Sequence, residues 1–110
     1  EPAGSGAAVA GIWRAPLNSL PIVEADAESV WVAGAGEDQI FNLVIDTVKE
    51  MLYFVMTGPQ DYIRRVFIGG SLPADDVTVY AIPKDVATGT TNGLVFDPQT
   101  RLLYWSDYGR

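Results

Sequence analysis

Acidic side chains are the first residues in this chain whose spacing suggests chemistry. Glu24, Asp26 and Glu28 alternate along one short segment, and Asp75 and Asp76 are adjacent in another. Carboxylate oxygens are the ligands that calcium prefers. Neither segment has the spaced Asp and Gly pattern of a dedicated calcium loop, so we interpret both as solvated turns without a metal.

The residue types that are missing narrow the possible reactions. The chain has no histidine to act as general base and no cysteine to act as nucleophile or zinc ligand. Seven Lys and Arg against fourteen Asp and Glu give a net charge of −7, which repels phosphate backbones. No window approaches the roughly 18 apolar residues of a membrane span. We therefore predict a protein without catalytic residues or cofactors that does not bind nucleic acid and does not insert into a membrane.

Polar residues beside aromatic rings indicate a second kind of chemistry, which is ligand recognition. Rings cover the apolar faces of a sugar or peptide, while carboxylates and amides fix its orientation. We expect such residues in two groups of loops at one mouth of the fold. The ligand-binding candidates are Asp38, Gln39, Asn92, Asp61, Tyr62, Asp107, Tyr108 and Arg110. Solvated loops without a ligand are the alternative.

Short β-strands must position these residues. Short runs rich in Val, Ile, Tyr, Trp and Phe alternate with turn signals made of Gly, Pro, Asn and Ser. No segment keeps a helical period for more than about two turns. The small residues of 1–11 predict a flexible N-terminal segment, and residues 12–110 predict an all-β domain.

The chain repeats itself at an offset of 51 residues. LVID at 43–46 matches LVFD at 94–97, and LYF at 52–54 matches LYW at 103–105. We infer two copies of a four-strand unit, the first at about 12–62 and the second at about 63–110.

GLVFDPQTRLLYWSDYGR, which ends the sequence, resembles a low-density-lipoprotein-receptor class B repeat of the YWTD type. In that family an apolar strand ends in Asp, a short turn follows, and the next strand reads Leu-Tyr-Trp-Thr-Asp. Ser106 replaces Thr here, and the first copy departs further because Phe54 replaces Trp and Met56 replaces Asp. The resemblance implies a six-bladed β-propeller in an extracellular or secreted protein.

The strand order predicts how such a propeller would be completed. With blade strands labelled A to D from the axis outward, the chain reads C-D-A-B-C-D-A-B, one whole blade between two halves. An unpaired strand edge invites pairing with another chain. We expect LLYWSD to pair with GIWRAPL of a neighbour, so that three chains of two blades close a homotrimer. A piece of a longer propeller and an unrelated small sandwich are the alternatives.

Five residues are predicted to be structural. Asp46 and Asp97 each end an A strand and should accept hydrogen bonds from turn amides. Tyr53, Tyr104 and Trp105 should fill the core between blades. The predicted function is a non-enzymatic, lectin-like binding module for a protein or a carbohydrate ligand. A metal-dependent hydrolase of the lactonase or esterase kind and a purely structural ring are the alternatives.

Overall fold

The fold is built from short antiparallel strands. A computed structural model describes residues 10–17, 20–34, 39–57, 60–82 and 90–108, with the backbone alone at 90–92 and 107–108. Within these residues, one 3-10 helix spans Glu24–Asp26, and the strands are β1 (Gly11–Arg14), β2 (Glu28–Val32), β3 (Gln39–Asp46), β4 (Met51–Thr57), β5 (Asp61–Phe67), β6 (Asp76–Ile82), β7 (Thr90–Asp97) and β8 (Leu102–Tyr108). The prediction of an all-β chain is confirmed. The predicted N-terminal segment lies almost entirely outside the described residues.

The strands form three antiparallel sheets. Sheet A consists of β1 and β2, sheet B of β3, β4, β5 and β6 in that order, and sheet C of β7 and β8. Strands that follow one another in a sheet also follow one another in the sequence, which is the simplest antiparallel connection. A four-stranded sheet is therefore flanked by two sheets of two strands each.

The hairpins β3–β4 and β7–β8 have the same pairing register at an offset of 51 residues on both strands. A slip of one residue would move every side chain to the other face of a sheet, so a shared register makes the faces of the two hairpins equivalent. The four consecutive pairs are Leu43↔Phe54, Val44↔Tyr53, Ile45↔Leu52 and Asp46↔Met51 in sheet B, and Leu94↔Trp105, Val95↔Tyr104, Phe96↔Leu103 and Asp97↔Leu102 in sheet C.

Sheet B is covered on both faces. Phe54 and Met56 of β4 pack with Trp31 of sheet A, whereas Val55 lies on the opposite face and packs with Leu94 of sheet C. A strand that is buried on both faces needs apolar residues at every position. This requirement explains why β4, with the sequence MLYFVMT, does not alternate apolar and polar residues, and why Phe54, Val55 and Met56 are buried in succession.

Replacing Phe54 with Ala should destabilise the fold by about 3–5 kcal/mol, because a fully buried ring is lost and a cavity is left. Urea unfolding followed by circular dichroism would measure the free energy of unfolding. Val77→Ala is the matched control, since Val77 of β6 is 51% exposed, and it should change that free energy by less than about 0.5 kcal/mol. Equal losses in the two variants would contradict this placement of the core.

Candidate functional site

Two aspartates close the turns that join β3 to β4 and β7 to β8. The Asp46 carboxylate accepts a hydrogen bond from the backbone N–H of Val48 at 3.1 Å. Asp97 accepts one from the N–H of Gln99 at 3.0 Å and another from the Thr100 hydroxyl at 2.8 Å. A short aspartate side chain that binds the amide two residues on is a turn in its own right. The turn contact that the sequence predicts is present at both residues.

Asp46 has a second partner, which lies in a different sheet. The Arg101 guanidinium, in the turn between β7 and β8, donates to both oxygens of the Asp46 carboxylate, from Nη1 to Oδ1 at 3.4 Å and from Nη2 to Oδ2. This hydrogen bond is the main cause that holds the pKa of Asp46 below its ordinary value of 3.8, against the opposing effect of burial. The same contact raises the pKa of Arg101. The ion pair therefore joins the turn of sheet B to the turn of sheet C.

Sequence reasoning missed this ion pair. The repeat offset aligns Arg101 with Glu50, and both residues adopt a positive φ, 64° and 55° respectively. The two turns thus have the same backbone form but opposite charges at the same position. The reversal of charge between Glu50 and Arg101 is the one feature of the sequence that could have indicated a special role for Arg101. No spacing rule predicts which residue of another sheet Arg101 contacts.

An aromatic pair joins each sheet to the next. The ring centroids of Trp31 in sheet A and Phe54 in sheet B are 4.7 Å apart, and those of Tyr80 in sheet B and Trp105 in sheet C are 5.3 Å apart. Phe54 and Trp105 are equivalent residues of the repeat. Tilted aromatic pairs at these distances stabilise a contact beyond the apolar area that they bury. The two junctions between sheets are therefore built in the same way.

The three aromatic residues predicted for the core have different surroundings. Tyr53 is half-buried and stacks on Phe96 of sheet C, with the ring centroids 6.0 Å apart. Tyr104 and Trp105 are 53% and 40% exposed, so their predicted burial does not occur within a single chain. The physical reason is that no described strand lies beside β8 on the side away from β7, and no described sheet covers the outer face of sheet C.

The predicted ligand-binding residues with described positions lie at the ends of strands. Their placement in loops is wrong. Strand pairing continues beyond the irregularities between Phe41 and Leu43 and between Thr91 and Gly93, and β5 already begins at Asp61. We call this end of the sheets the rim. Asp38 and Arg110 lie outside the described residues. The others are Gln39 in β3, Asp61 and Tyr62 in β5, Asn92 in β7, and Asp107 and Tyr108 in β8.

Gln39 and Tyr62 are the candidates whose described side chains reach the surface of the rim. Gln39 is exposed, and Tyr62 is half-buried with the Arg64 guanidinium 4.7 Å from its ring centroid. Asp61 is fully buried as the first residue of β5, where it pairs with Ile82. Its carboxylate is therefore not available to a ligand at the rim, which corrects its predicted role.

In the part of the chain that the structure describes, each outer strand of a sheet has one unpaired edge. The sequence predicts that the edges of β1 and β8 are filled by another strand, and we call these two the open edges. β1 pairs with β2 alone, and β8 pairs with β7 alone. A shallow depression of about 220 Å³ lies on β7 and β8 and is lined by Gly93, Leu94, Val95, Tyr104, Trp105 and Ser106. Trp13 of β1 is 63% exposed. Each open edge therefore carries an exposed tryptophan.

Sheet A covers only part of the face of sheet B on which it packs. Cross-strand partners share a face, so Leu43 and Ile45 lie on the same side as Phe54, the side that sheet A covers. Both residues remain about half-exposed because sheet A does not reach β3 there. On the outer face of sheet C, Val95 and Tyr104 are also exposed. Sheets B and C therefore each have an apolar area that no described strand covers and against which a further sheet could pack.

A metal site, a second depression and a membrane span are three further features to consider among the described residues. Among the described residues, no group of three or more Asp or Glu side chains is placed to hold a metal ion. A second depression, of about 330 Å³, lies beside β1, where Arg14 and Glu28 form an exposed ion pair at 2.7 Å. In the part of the chain that is described, no helix is long and apolar enough to cross a membrane.

Comparison with protein-family models, curated proteins and solved structures finds no match. The class of protein is therefore defined by the fold and its surfaces alone. Within the described residues, it is an all-β chain of packed antiparallel sheets with unpaired strand edges and partly covered apolar faces.

Asp46→Asn should reduce the acid dependence of stability. Because the pKa of Asp46 is lowered in the folded state, its contribution is fully present above the ordinary value of 3.8 and is lost as the pH falls through the folded-state pKa. Asn keeps an oxygen for the turn amides but loses the charge that pairs with Arg101. We expect a lower urea midpoint than that of the parent at pH 7, and a difference that narrows below pH 3.8.

Asp97→Asn is the matched control for that measurement. The pKa of Asp97 is also lowered, but chiefly by the Thr100 hydroxyl within its own turn. This variant should therefore lose less stability at pH 7 than Asp46→Asn. Equal losses would mean that the ion pair between sheets adds nothing to the turn contact.

Proposed function

We propose that this chain is a two-repeat unit of a six-bladed β-propeller, that three copies complete the ring, and that the ring is a non-enzymatic binding module. The observation that carries this proposal is the shared register of β3–β4 and β7–β8, in sheets that pack face to face. A propeller blade is a four-stranded antiparallel sheet that packs against the next blade around an axis. Sheet B has that strand order, and sheets A and C have the strand content of its two halves.

The repeated junctions support packing around an axis. The pair Trp31–Phe54 joins sheet A to sheet B, and Tyr80–Trp105 joins sheet B to sheet C in the same manner. A heterologous contact that repeats by rotation closes into a ring when the rotation divides the circle evenly. Three chains supply six blades, the number that the resemblance to class B repeats implies.

The binding role is assigned to the rim. Tyr62 presents an aromatic ring with the hydrogen-bonding guanidinium of Arg64 beside it, which suits a sugar or an extended peptide. Gln39 is exposed at the same end of sheet B but on its other face. A ring of three chains would present this group three times. Weak individual contacts would then add through avidity. We propose a protein or glycan ligand and an extracellular or secreted location.

Light scattering should give three chains per particle, and the melting temperature should rise with protein concentration. The reason is that assembly stabilises the folded chain by mass action when the open edges are filled by other copies. Phe54→Ala, which acts within one chain, should melt lower at every concentration but keep the same dependence. A monomer whose melting temperature does not change with concentration would rule out the assembled ring.

Binding to an array of glycans and immobilised extracellular proteins should be lost in Tyr62→Ala, because the aromatic platform of the rim is removed. Val48→Ala is the matched control, since Val48 is exposed in the turn at the opposite end of sheet B. A parent that assembles but binds nothing on the array would favour a purely structural ring. Equal binding by parent and Tyr62→Ala would place the ligand away from the rim.

A further inference from the structure

We infer that the open edge of β8 pairs antiparallel with the open edge of β1 in a second copy of this chain, in the register that sets Trp105 opposite Trp13. The inference rests on the proposed assembly and adds to it the two strands, their register and the side chains that meet. A single contact of this kind fills both open edges, since every copy has one of each.

Sheet B contains the template for this pairing. β4 is the repeat equivalent of β8, and its far edge is occupied by β5, which pairs Phe54 with Arg64. β5 is in turn the equivalent of β1, because both strands have an irregularity directly after an isoleucine, Ile12 or Ile63. The offset of 51 residues is added to each β4 residue to reach β8, and subtracted from each β5 residue to reach β1. The β4–β5 pairs then become these pairs between copies: Asp107↔Gly11, Ser106↔Ile12, Trp105↔Trp13 and Tyr104↔Arg14.

This register places the two exposed tryptophans on one face. Paired residues of neighbouring strands project to the same side of a sheet. Trp105 projects towards sheet B, where its ring centroid is 5.3 Å from that of Tyr80. Trp13 of the second copy would therefore project towards the same sheet and add a third ring. An indole that is 63% exposed in the single chain would become part of an aromatic cluster.

The same placement continues an interface that already exists in the chain. Within one chain, Tyr53 of sheet B stacks on Phe96 of sheet C. The repeat equivalents are Tyr104, exposed on the outer face of sheet C, and Ile45, half-exposed on sheet B. Docking β1 of the second copy against β8 brings these two faces together, with Tyr104 over Ile45 of the second copy. The uncovered apolar areas of the two copies are thus complementary, which argues for a second copy as the occupant.

Disulfide trapping tests the register directly. The chain contains no cysteine, so an introduced thiol has no competitor. Arg14→Cys and Tyr104→Cys are made in separate molecules, both at exposed positions, then mixed and oxidised. Paired residues lie within the range of Cα separations that a disulfide requires. We expect the mixture to form covalent dimers as its main product on a non-reducing denaturing gel.

Three controls define the result. Each variant oxidised alone should stay monomeric on the gel, because a head-to-tail contact never brings two copies of one residue together. Ala15→Cys mixed with Tyr104→Cys should also stay monomeric, since the one-residue shift turns the thiol to the opposite face. Dimers from either single variant would overturn the head-to-tail contact, and dimers from the Ala15 mixture would overturn the register.

Hydrogen exchange on the unmodified chain covers the case in which a variant fails to fold. As the protein concentration rises, backbone amides of β1 and β8 should gain more protection than those of β4, because only the first two strands acquire new hydrogen-bond partners. Light scattering could show trimers while no disulfide is trapped and no protection is gained at β1 and β8. That result would overturn the β8–β1 contact but would still agree with an assembled propeller. A monomer at all concentrations would overturn both, and it would then favour a strand from elsewhere in a longer polypeptide as the occupant of the β8 edge.

Discussion

The structure depends on the burial of β4 between two sheets. An isolated two-stranded sheet is at best marginally stable in water, so sheets A and C exist because their inner faces pack on sheet B. Phe54 on one face and Val55 on the other are fully buried, and each belongs to a different apolar cluster. Side-chain packing between sheets, more than the hydrogen-bonded ladder within any one of them, therefore holds the chain together.

The features that the sequence predicted correctly are those that local chemistry determines. The all-β class follows from short apolar runs between turn residues, and the turn contacts of Asp46 and Asp97 follow from the reach of an aspartate side chain to the amide two residues on. The offset of 51 residues in the sequence reappears in the pairing register, since side-chain alternation and turn length together set the register of a hairpin.

The features that the sequence did not predict depend on contacts between separate sheets. Nothing in the spacing of Arg101 indicates that it reaches Asp46, because that contact exists only after sheets B and C have packed. The exposure of Trp105 has the same origin: a strand rich in large apolar residues predicts a core position, but burial also requires a covering element. The position of Gln39 and Tyr62 within strands reflects how far each ladder extends, and composition at a strand end is a poor guide to that extent.

The two repeats differ in charge at the turn, and this difference has a consequence for the proposed ring. Inside the chain, Asp46 meets the Arg101 guanidinium across the junction of sheets B and C. At the proposed junction between copies, the equivalent residues would be Asp97 and Glu50 of the next copy, both of which carry carboxylates. Two carboxylates repel each other, although the Thr100 hydroxyl and the Gln99 amide already stabilise the charge of Asp97 within its own turn. Attraction between copies would therefore come from the aromatic and apolar contacts of Trp13, Trp105 and Tyr104, without the ion pair that joins the sheets within a chain. The junction between copies would then depend more on apolar burial, and less on charge, than the junction of sheets B and C.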